Sequence, residues 1–517
     1  MRKFFGIILL LFFMVSMPLF AQDNEAIVKK TTDYLQEIKE QWKIPGMAFA
    51  VVKDGEMIYS NGFGVKEMGK SNPVDVNTLF QIGSVSKSFT AAVMASLVAE
   101  EKIKWDDTVK NILPDFKMYD KWVEENLQVK DIMTHHTGLQ GQLGTYIPNM
   151  GYEREDIYNM LPLLKPKYSF RGSYEYNNIT FIIASKIIEK LTGKSWEENV
   201  RERIFEPLGM KNSRVTGDEF ASVVNVATPH EFTYKKGAAL TDSTWVDSIY
   251  VNPMFGAQEQ ALHWLSVIGP AGSISSTVED MAKYALFHLN KGEVNGKQVI
   301  EKKQMNYLRK GHTIVSQDSA KTTLYAHCWF VEQNSRYRLY FHTGTTWGFT
   351  TLVAFVPELD LGFVILVNSE APALPRYAIM RRIIELYKGY PDKDYNAQYY
   401  SEWLVDNRES QKKKDEKAAK IEKICAPDLN KLVGVYDKGD LFGKAVIEIE
   451  DGELFVTAGP KNWKSKLIHK NGNEFKFRMG GANFEIEFAF DQEGEICTGL
   501  DMKYGYSENF GIWPKVN

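Results

Sequence analysis

The chain is poor in cysteine, in net charge and in long apolar runs, and each shortage excludes a class of protein. Only three cysteines occur in 517 residues, which rules out a small scaffold held together by disulfides. The formal net charge is −4 at pH 7, so a basic surface for nucleic acid is not expected. After the first 21 residues no apolar run approaches the roughly 20 residues that a membrane helix needs, so no stable membrane span is expected.

Metal-binding patterns are missing from the sequence as well. The nine histidines include no HExxH motif, and the cysteines lack the spacing of a zinc site. The pair His135-His136 has no third ligand at a suitable spacing, and we interpret it as a loop pair that supports other residues. Cys425 and Cys497 either pair with each other or remain free buried thiols like Cys328. The sequence therefore predicts no metal centre.

What is present is an ordinary globular composition behind an N-terminal leader. Hydrophobic residues make up 44% and charged residues 25% of the chain, values typical of folded domains. A basic pair precedes an apolar run from Phe4 to Phe13, and Ala21 precedes a polar residue. This pattern is typical of a secretory signal peptide over residues 1–21, with an uncleaved anchor as the alternative. We therefore expect an exported protein, either periplasmic or secreted.

The order of predicted elements indicates an α/β (α+β) domain over residues 22–390. A helical pattern follows the leader, and two strands then meet at Asp54-Gly55, a strong hairpin signal. Helical patterns fill residues 84–300, strands return later, and a helix is predicted over 376–388. An antiparallel sheet flanked by helices, with a helical subdomain inserted between its strands, accommodates this order.

The C-terminal part of the chain changes character twice. Residues 391–426 are dense in charge of both signs and poor in apolar residues, which predicts a solvated helical linker. From residue 427 to 517, short alternating strands are separated by turn dipeptides such as Asp451-Gly452. We expect a separate small β-barrel there, with a β-sandwich as the alternative fold, that serves packing or assembly, with substrate binding as the alternative role.

The candidate nucleophile lies at the start of a predicted helix. Ser84 and Lys87 are three residues apart in SVSK and therefore lie on one face of that helix. A buried lysine loses its hydration, so its pKa falls and the amine can be neutral near pH 7. A neutral amine can then take the proton of the serine hydroxyl. The pattern alone is weak, because a capping serine and a surface lysine give the same spacing.

A second segment supplies a phenol and an amide on one loop. Tyr176 and Asn178 stand immediately before an apolar helix. A charged Lys87 beside the phenol would favour the phenolate form, making Tyr176 a base or proton shuttle. Asn178 is expected to hydrogen-bond Lys87 or a substrate carbonyl. A capping loop with a core tyrosine is the alternative interpretation.

A third segment ends a predicted strand with His342, Thr343 and Gly344. Gly344 would allow a substrate backbone to approach the strand closely. The N–H group of Thr345 would join that of Ser84 as an oxyanion hole. Because histidine titrates near pH 6.5, His342 would supply a pH-dependent positive charge. An edge histidine without a catalytic role is the alternative.

In this order, the three segments resemble the motifs of the serine β-lactamase and penicillin-binding-protein group. The Tyr-x-Asn form of the middle motif resembles the class C β-lactamase-related branch. The resemblance covers about residues 25–390, and the C-terminal module resembles the lipocalin-like β domain of some relatives. It implies that Ser84 is acylated, that Lys87 and Tyr176 share the proton transfers, and that Asn178 positions the acyl group. It also implies hydrolysis by water without metal or cofactor.

The residue at position 342 separates two interpretations of function. The resemblance implies lysine at that position in a dedicated class C β-lactamase, where it favours substrates with a free carboxylate. Relatives with histidine there include peptidases and hydrolases of D-amino-acid peptides or esters. We therefore expect an amide or ester hydrolase acting on a small-molecule or peptide substrate. A true β-lactamase or DD-carboxypeptidase is the alternative from the same fold, and a non-catalytic envelope binding protein is the alternative from another class.

Two further features concern the walls of the cleft. Tyr325, Trp329 and Trp347 stand near the third motif and either line an acyl pocket or pack in the core. Residues 229–267 are polar with interspersed aromatics, and they either rim the cleft or form a surface excursion. The sequence does not determine the oligomeric state.

Overall fold

The computed structural model describes residues 24–234, 246–251, 259–370, 374–391, 393–439, 441–504 and 508–516. The predicted signal peptide, residues 1–21, lies outside the described residues, as does part of the predicted rim segment 229–267. Within the described ranges, no helix is both long enough and apolar enough to cross a membrane. Export therefore stays a prediction.

The strands of the N-terminal domain form one large antiparallel sheet and three small two-stranded ones. They are β1 Gly46–Lys53, β2 Glu56–Gly64, β3 Phe80–Gln81, β4 His230–Tyr234, β5 Val246–Val251, β6 Ser275–Ser276, β7 Glu293–Val294, β8 Lys297–Gln298, β9 Thr313–Gln317, β10 Lys321–Tyr325, β11 Phe330–Asn334, β12 Arg338–Thr346, β13 Phe349–Val356 and β14 Leu361–Val367. The large sheet has the order β2-β1-β14-β13-β12-β11-β10-β9, and every neighbouring pair in it is antiparallel.

The predicted hairpin at Asp54-Gly55 joins β1 to β2. Both turn residues adopt positive φ, 52° at Asp54 and 82° at Gly55, which suits the twist of a tight hairpin. β1 is buried on both faces: Phe49 and Val51 belong to one core, and Ala48 and Ala50 belong to the other. The sheet is therefore a middle layer covered on both sides.

Helices cover both faces of this sheet. They are α1 at residues 24–41, α2 Ser86–Ala99, α3 Val109–Ile112, α4 Lys121–Asn126, α5 Val129–Met133, α6 Arg154–Met160, α7 Thr180–Thr192, α8 Trp196–Val200, α9 Glu206–Leu208, α10 Gly217–Ala221, α11 Glu259–Val267, α12 Gly269–Gly272, α13 Val278–Leu289, α14 Lys302–Leu308, α15 Leu374–Lys388, α16 Tyr395–Ala419 and α17 Leu429–Leu432. The helices α1, α15 and α16 share a core with one face, whereas α2 and α13 pack against the other.

The helical subdomain lies between β2 and β9 in the chain, so it is inserted between strands of one sheet. Its core continues the one shared by α2 and α13. A sheet flanked by helices with an inserted helical subdomain is the fold class that the sequence predicts, and the structure confirms it. The insertion matters for function because it carries the turn Gly83–Val85, which packs against the C-terminal end of β12, residues 342–346, where β11 no longer pairs with this strand.

The segment 391–426, predicted to be a solvated linker, is only partly so. Its helix α16 buries Tyr400 and Trp403, whose rings lie 5.0 and 5.5 Å from the ring of Trp42. Residues 408–419 are largely exposed, as expected for a charged helix. The first turns of α16 therefore belong to the core of the N-terminal domain, because aromatic side chains one turn apart form an apolar stripe.

The C-terminal module is a nearly closed nine-stranded antiparallel barrel, as the sequence predicts. Its strands are β15 Gly434–Asp437, β16 Lys444–Glu450, β17 Glu453–Ala458, β18 Trp463–Lys466, β19 Ile468–Asn471, β20 Glu474–Met479, β21 Ala482–Phe490, β22 Cys497–Tyr504 and β23 Glu508–Val516. The sheet order is β18-β17-β16-β15-β23-β22-β21-β20-β19. Its turns include the predicted Asp451-Gly452, and its edge strands β18 and β19 follow one another directly.

The cysteines do not form a disulfide. Cys328 and Cys497 are buried and Cys425 is exposed, and all three are free thiols. The Cys497 sulfur lies 3.3 Å from the Tyr436 hydroxyl inside the barrel, so it packs as a small core residue. Of the two alternatives left open by the sequence, the structure shows free thiols, and the expected burial is confirmed for Cys328 and Cys497 but wrong for Cys425.

The barrel packs directly on the helical subdomain. The Tyr152 hydroxyl donates to the Phe442 carbonyl at 2.6 Å, and the Gly480 N–H donates to the Gln260 side chain at 2.8 Å. The rings of His263 and Trp463 meet edge to face at 5.4 Å. Gln260 and His263 belong to α11, so the barrel contacts a helix that also borders the cleft described next.

Candidate active site

A cleft of about 560 Å³ brings the three predicted motifs together. Its lining residues include Ser84, Tyr176, Asn178, His342 and Thr345. It lies between the C-terminal end of β12, which β11 leaves unpaired, and the helical subdomain. The other two of the seven candidate site residues do not line the cleft. Lys87 is buried next to Ser84, and Gly344 packs against the backbone of Ile82 and Ser84.

Ser84 stands in a short 3-10 turn, Gly83–Val85, that runs directly into α2. Lys87 is one turn further on, so its side chain points back along the helix toward the serine. The Lys87 Nζ lies 3.0 Å from the Ser84 Oγ. The lysine is fully buried, whereas Ser84 stays partly accessible from the cleft.

The hydrogen bonds of Lys87 orient its amine. Nζ donates to Asn178 Oδ1 at 2.7 Å and to the Ala271 carbonyl at 3.0 Å. Both partners are acceptors only, so they occupy two N–H groups. In the neutral amine, the remaining lone pair is then directed at Ser84 Oγ, which is the geometry needed to accept its proton.

Burial also sets the charge of this amine. Loss of hydration lowers the pKa of Lys87 to about 7, since no carboxylate among the described residues pairs with it. The rings of Tyr176 and Phe181 lie 4.6 and 5.3 Å from Nζ and exclude water there. A substantial fraction of Lys87 is therefore neutral at physiological pH.

Tyr176 differs from the sequence expectation. Its hydroxyl hydrogen-bonds Ser84, but burial raises its pKa well above the usual range. The expected phenolate is therefore wrong for the free protein, because removing the phenol from water raises its pKa by more than the hydrogen bond with Ser84 lowers it. A neutral Tyr176 can still relay a proton to and from Ser84.

The loop carrying Tyr176 is anchored by a residue of the His135-His136 pair. His135 is buried with its ring 4.3 Å from that of Tyr176, and its Nδ1 accepts from the Asn177 N–H at 3.1 Å. The Asn177 amide in turn donates to the carbonyls of Gln140 and Leu143. His135 therefore fixes the loop, and no group of three metal-ligating side chains exists among the described residues.

His342 also differs from the expectation. It is 1% exposed, and burial lowers its pKa to about 3, with Lys87 adding repulsion. Its Nδ1 donates to the Thr343 carbonyl at 2.8 Å, so Nε2 is free to accept from the Tyr325 hydroxyl at 3.0 Å. The predicted pH-dependent charge near 6.5 is wrong: His342 is a neutral, doubly hydrogen-bonded side chain at neutral pH.

The glycine of the third motif packs against protein, not substrate. A Cβ on Gly344 would lie 1.9 Å from the Ile82 carbonyl and 3.3 Å from Ser84 N, and one on Gly83 would lie 2.8 Å from Thr345 N. Gly344 therefore lets β12 approach the turn that carries Ser84. This close approach brings the backbones of Ser84 and Thr345, which both line the cleft, near each other.

Sequence reasoning missed a buried cation that contacts the C-terminal end of β12. Arg376 of α15 is 8% exposed, and its guanidinium donates to the Gly344 carbonyl at 3.0 Å. Its position depends on the packing of α15 across the sheet, which no local pattern reveals. Because it pulls on the carbonyl of the residue before Thr345, it holds this strand end in place.

Aromatic side chains form the walls of the cleft. Trp347 and Trp264 line it with ring centroids 4.5 Å apart, whereas Trp329 lies in the core. Tyr325 is buried behind His342. The predicted rim segment 229–267 contributes Trp264, whose indole N–H donates to the Thr145 carbonyl at 3.0 Å; residues 235–245 and 252–258 lie outside the described ranges.

This fold and the serine-lysine-tyrosine cleft define a class of serine hydrolase, and the comparisons agree. The family model described as Beta-lactamase matches residues 32–387. The chain therefore belongs to the beta-lactamase family.

Similar curated proteins are named hydrolases and a β-lactamase. Unguisins hydrolase ungD′ of Aspergillus campestris is 28% identical over 400 residues, covering 74% of this chain and 68% of that protein. Unguisins hydrolase ungD of Aspergillus violaceofuscus is 29% identical over 51% of this chain and 46% of its own length. A Beta-lactamase of Escherichia coli is 26% identical over 64% of this chain and 86% of that protein.

Solved structures show the same fold. The octameric penicillin-binding protein homologue from Pyrococcus abyssi superposes with a TM-score of 0.58 at 21% identity, covering 93% of this chain and 99% of that one. The crystal structure of SurE gives a TM-score of 0.56 at 16% identity over 96% of this chain and 100% of that one. Coverage above nine-tenths of this chain means that the likeness extends beyond the family match into the C-terminal region.

Proposed function

We propose that the protein is an exported serine hydrolase that forms an acyl-enzyme on Ser84. Its substrates would be amides or esters, most suitably small or D-amino-acid-containing peptides. The single observation that carries the proposal is the buried Lys87 amine, 3.0 Å from Ser84 Oγ, with its pKa lowered to about 7 by burial. A binding module has no need of a buried, partly neutral amine beside a hydroxyl.

Acylation begins when Ser84 Oγ attacks the substrate carbonyl carbon and its proton passes to Lys87. The carbonyl oxygen becomes an oxyanion that the N–H groups of Ser84 and Thr345 stabilise. The proton then moves through the Tyr176 hydroxyl to the leaving amine or alkoxide as its bond to carbon breaks. Asn178, held by Lys87, offers its amide group to the acyl portion.

Deacylation uses the same groups in reverse. A water attacks the acyl carbon, and its proton passes to Tyr176 and Lys87, which regenerates the serine hydroxyl when the carbon–oxygen bond breaks. Neutral Tyr176 suits this relay, because its hydroxyl can accept one proton while it donates another and so remains neutral after each step. No group beyond these residues and water enters the steps.

The neutral state of His342 supports peptidase or esterase activity over antibiotic hydrolysis. A permanent cation at this position would attract a substrate carboxylate, and a histidine whose pKa is lowered to about 3 offers none at pH 7. The relatives named unguisins hydrolases support hydrolysis as the reaction. The leader predicted at residues 1–21 supports export, which N-terminal sequencing of protein recovered outside the cytoplasm would test.

Active-site labelling tests the nucleophile. We expect a fluorophosphonate probe to label the wild-type protein and Ser71→Ala, which alters an exposed loop serine, but not Ser84→Ala. Equal labelling of Ser84→Ala would reject the assignment. A chromogenic cephalosporin separates the alternatives: fast turnover would show a β-lactamase, and slow stable acylation would show a penicillin-binding type.

A further inference from the structure

The cleft contains a carboxylate that the steps above do not use. Glu370 follows β14 and lines the same cleft as Ser84, next to Trp347. Its side chain remains accessible to solvent from the cleft. Among the described residues that line the cleft, none is a lysine or arginine, so the wall offers a substrate one carboxyl group and no cationic side chain.

The position of Glu370 is built into the sheet. Its backbone N–H donates to the His230 carbonyl at 3.0 Å, and the His230 N–H donates to the Asn368 carbonyl at 3.0 Å. The Gly348 N–H donates to its carboxylate. Gly348 itself has φ of 76°, and a Cβ there would lie 2.8 Å from His230 N, so only glycine permits this arrangement.

Within the part of the chain that the structure describes, Glu370 has no ion-pair partner. The surrounding cleft walls remove part of the hydration of its carboxylate and Glu231 repels it, which together raise its pKa to about 7, whereas the Gly348 N–H and Arg478 of the barrel act in the opposite direction. A cationic group on the substrate would stabilise the ionised form of this carboxyl group, because the two would form a charge-assisted hydrogen bond.

We propose that Glu370 is a specificity residue that binds a primary ammonium group of the substrate. This inference rests on the proposed hydrolase function and narrows it to substrates that carry a free amine rather than a free carboxylate. Trp347 and Trp264 line the same cleft and favour the same charge, since a cation is attracted to an aromatic face. The ammonium group belongs either to a free N-terminus or to a lysine-like side chain.

Matched amides test this charge preference at pH 7. The panel is alanine p-nitroanilide in D and L form with a free α-amine, its N-acetyl and N-succinyl derivatives, and N-acetyl-lysine p-nitroanilide. We expect kcat/KM for the better ammonium substrate to exceed that of N-acetyl-alanine p-nitroanilide roughly tenfold to hundredfold, with N-succinyl lowest. Comparing kcat/KM for alanine p-nitroanilide with that for N-acetyl-lysine p-nitroanilide shows whether the cleft prefers an α-ammonium or a side-chain ammonium group.

Substitutions at Glu370 test the residue itself. In Glu370→Gln the ratio between ammonium and acetylated substrates should fall toward one, mainly through KM, and Glu370→Arg should favour the succinyl derivative. Glu493→Gln, in an exposed barrel turn, should keep the wild-type ratio. If a Glu370 variant does not fold, protection of wild-type Ser84 from fluorophosphonate by D-alaninamide but not by N-acetyl-D-alaninamide supports the inference.

The outcomes separate this inference from the proposed function. Turnover of neutral substrates with no ammonium preference, or a preference unchanged in Glu370→Gln, overturns the role of Glu370 and leaves the hydrolase standing. Equal protection by the two amides overturns it as well. Absence of both turnover and Ser84 labelling rejects the proposed hydrolase and this inference with it.

Discussion

The cleft of the N-terminal domain and the interior of the C-terminal barrel differ in the kind of side chain that they bury. In the barrel, β21 points Phe484, Ile486 and Phe488 inward, and charged pairs such as Lys503–Glu487 lie outside at 3.0 Å. Around the cleft, an amine, imidazoles and amides are buried instead, including Lys87 and His342. The barrel strand β21 therefore follows the alternation of apolar and polar residues in its sequence, whereas the cleft buries polar groups that usually lie at the surface.

The buried polar groups indicate that the reactive site lies in the cleft and not in the barrel. Burying Lys87 costs stability that nothing in the packing requires, and such exceptions are expected where a site needs reactive groups. The barrel carries no comparable arrangement among its described residues. It contacts the wall of the cleft through α11 and through the turn Ile147–Met150, which makes it a support for that wall.

The largest expected effect is that Lys87→Met abolishes activity and changes how stability depends on pH. We expect kcat/KM to fall at least about a thousandfold, because Ser84 loses its base. The folded protein holds the Lys87 amine neutral above a pKa of about 7, whereas an unfolded lysine keeps its proton up to about pH 10.4. Between these values the unfolded state binds the extra proton, so wild-type stability rises with pH.

The difference in unfolding free energy between Lys87→Met and the wild type is the measurement. The unfolding free energy of the wild type minus that of Lys87→Met should increase by up to about 1.4 kcal/mol for each pH unit between 7 and 10. Lys190→Met, at an exposed position of α7, is the control and should show no such trend. A constant difference across this range would mean that Lys87 does not titrate there.

A smaller effect concerns the pH dependence of activity itself. We expect kcat/KM to rise with pH up to about 7 and then to level off, because only the neutral Lys87 accepts the serine proton. His342→Gln should keep this inflection, since the pKa of His342 lies at about 3 and contributes nothing near neutrality. Steady-state profiles of both proteins decide this point: an inflection lost only in His342→Gln would restore the role that the sequence suggested for the histidine.

Local spacing explains what the sequence could predict. Ser84 and Lys87 meet because residues three apart share a helix face, and the hairpins at Asp54-Gly55 and Asp451-Gly452 form because their turn residues accept positive φ. These features depend on a few neighbouring residues. The order of the three motifs, together with their resemblance to a family, supplied the rest of the site.

Burial and long-range packing explain what the sequence could not predict. The charge states expected for Tyr176 and His342 were wrong because both depend on water exclusion by distant segments. Arg376 and Glu370 were missed because the sheet and α15 bring them to the cleft, and neither stands in a recognisable motif. The packed start of α16 had a signal, its aromatic residues from Tyr395 to Trp403, but the charged residues after them dominated the pattern.

Gly459→Ala should separate the support role of the barrel from its own stability. A Cβ on Gly459 would lie 1.7 Å from the Met150 carbonyl, and Tyr146, just before that turn, lines the cleft. We expect kcat/KM on a chromogenic ester to fall about tenfold as the wall shifts. Gly452→Ala is the matched control, with φ of 79° against 75° and no atom within 4 Å of its Cβ. Equal losses in the two variants would show strain alone and no support of the cleft.

The smallest effect is expected on the outside of the barrel. Lys503→Met removes one partner of an exposed pair that is 3.0 Å from Glu487, and such pairs contribute little because water already solvates both charges. We expect the melting temperature to change by less than about 2 °C and kcat/KM to stay at the wild-type value. A larger loss of stability would mean that the charged ladder of the barrel is part of what holds it closed. In that case the barrel would share with the cleft a dependence on specific polar contacts, and the contrast between the two regions would be weaker than their cores suggest.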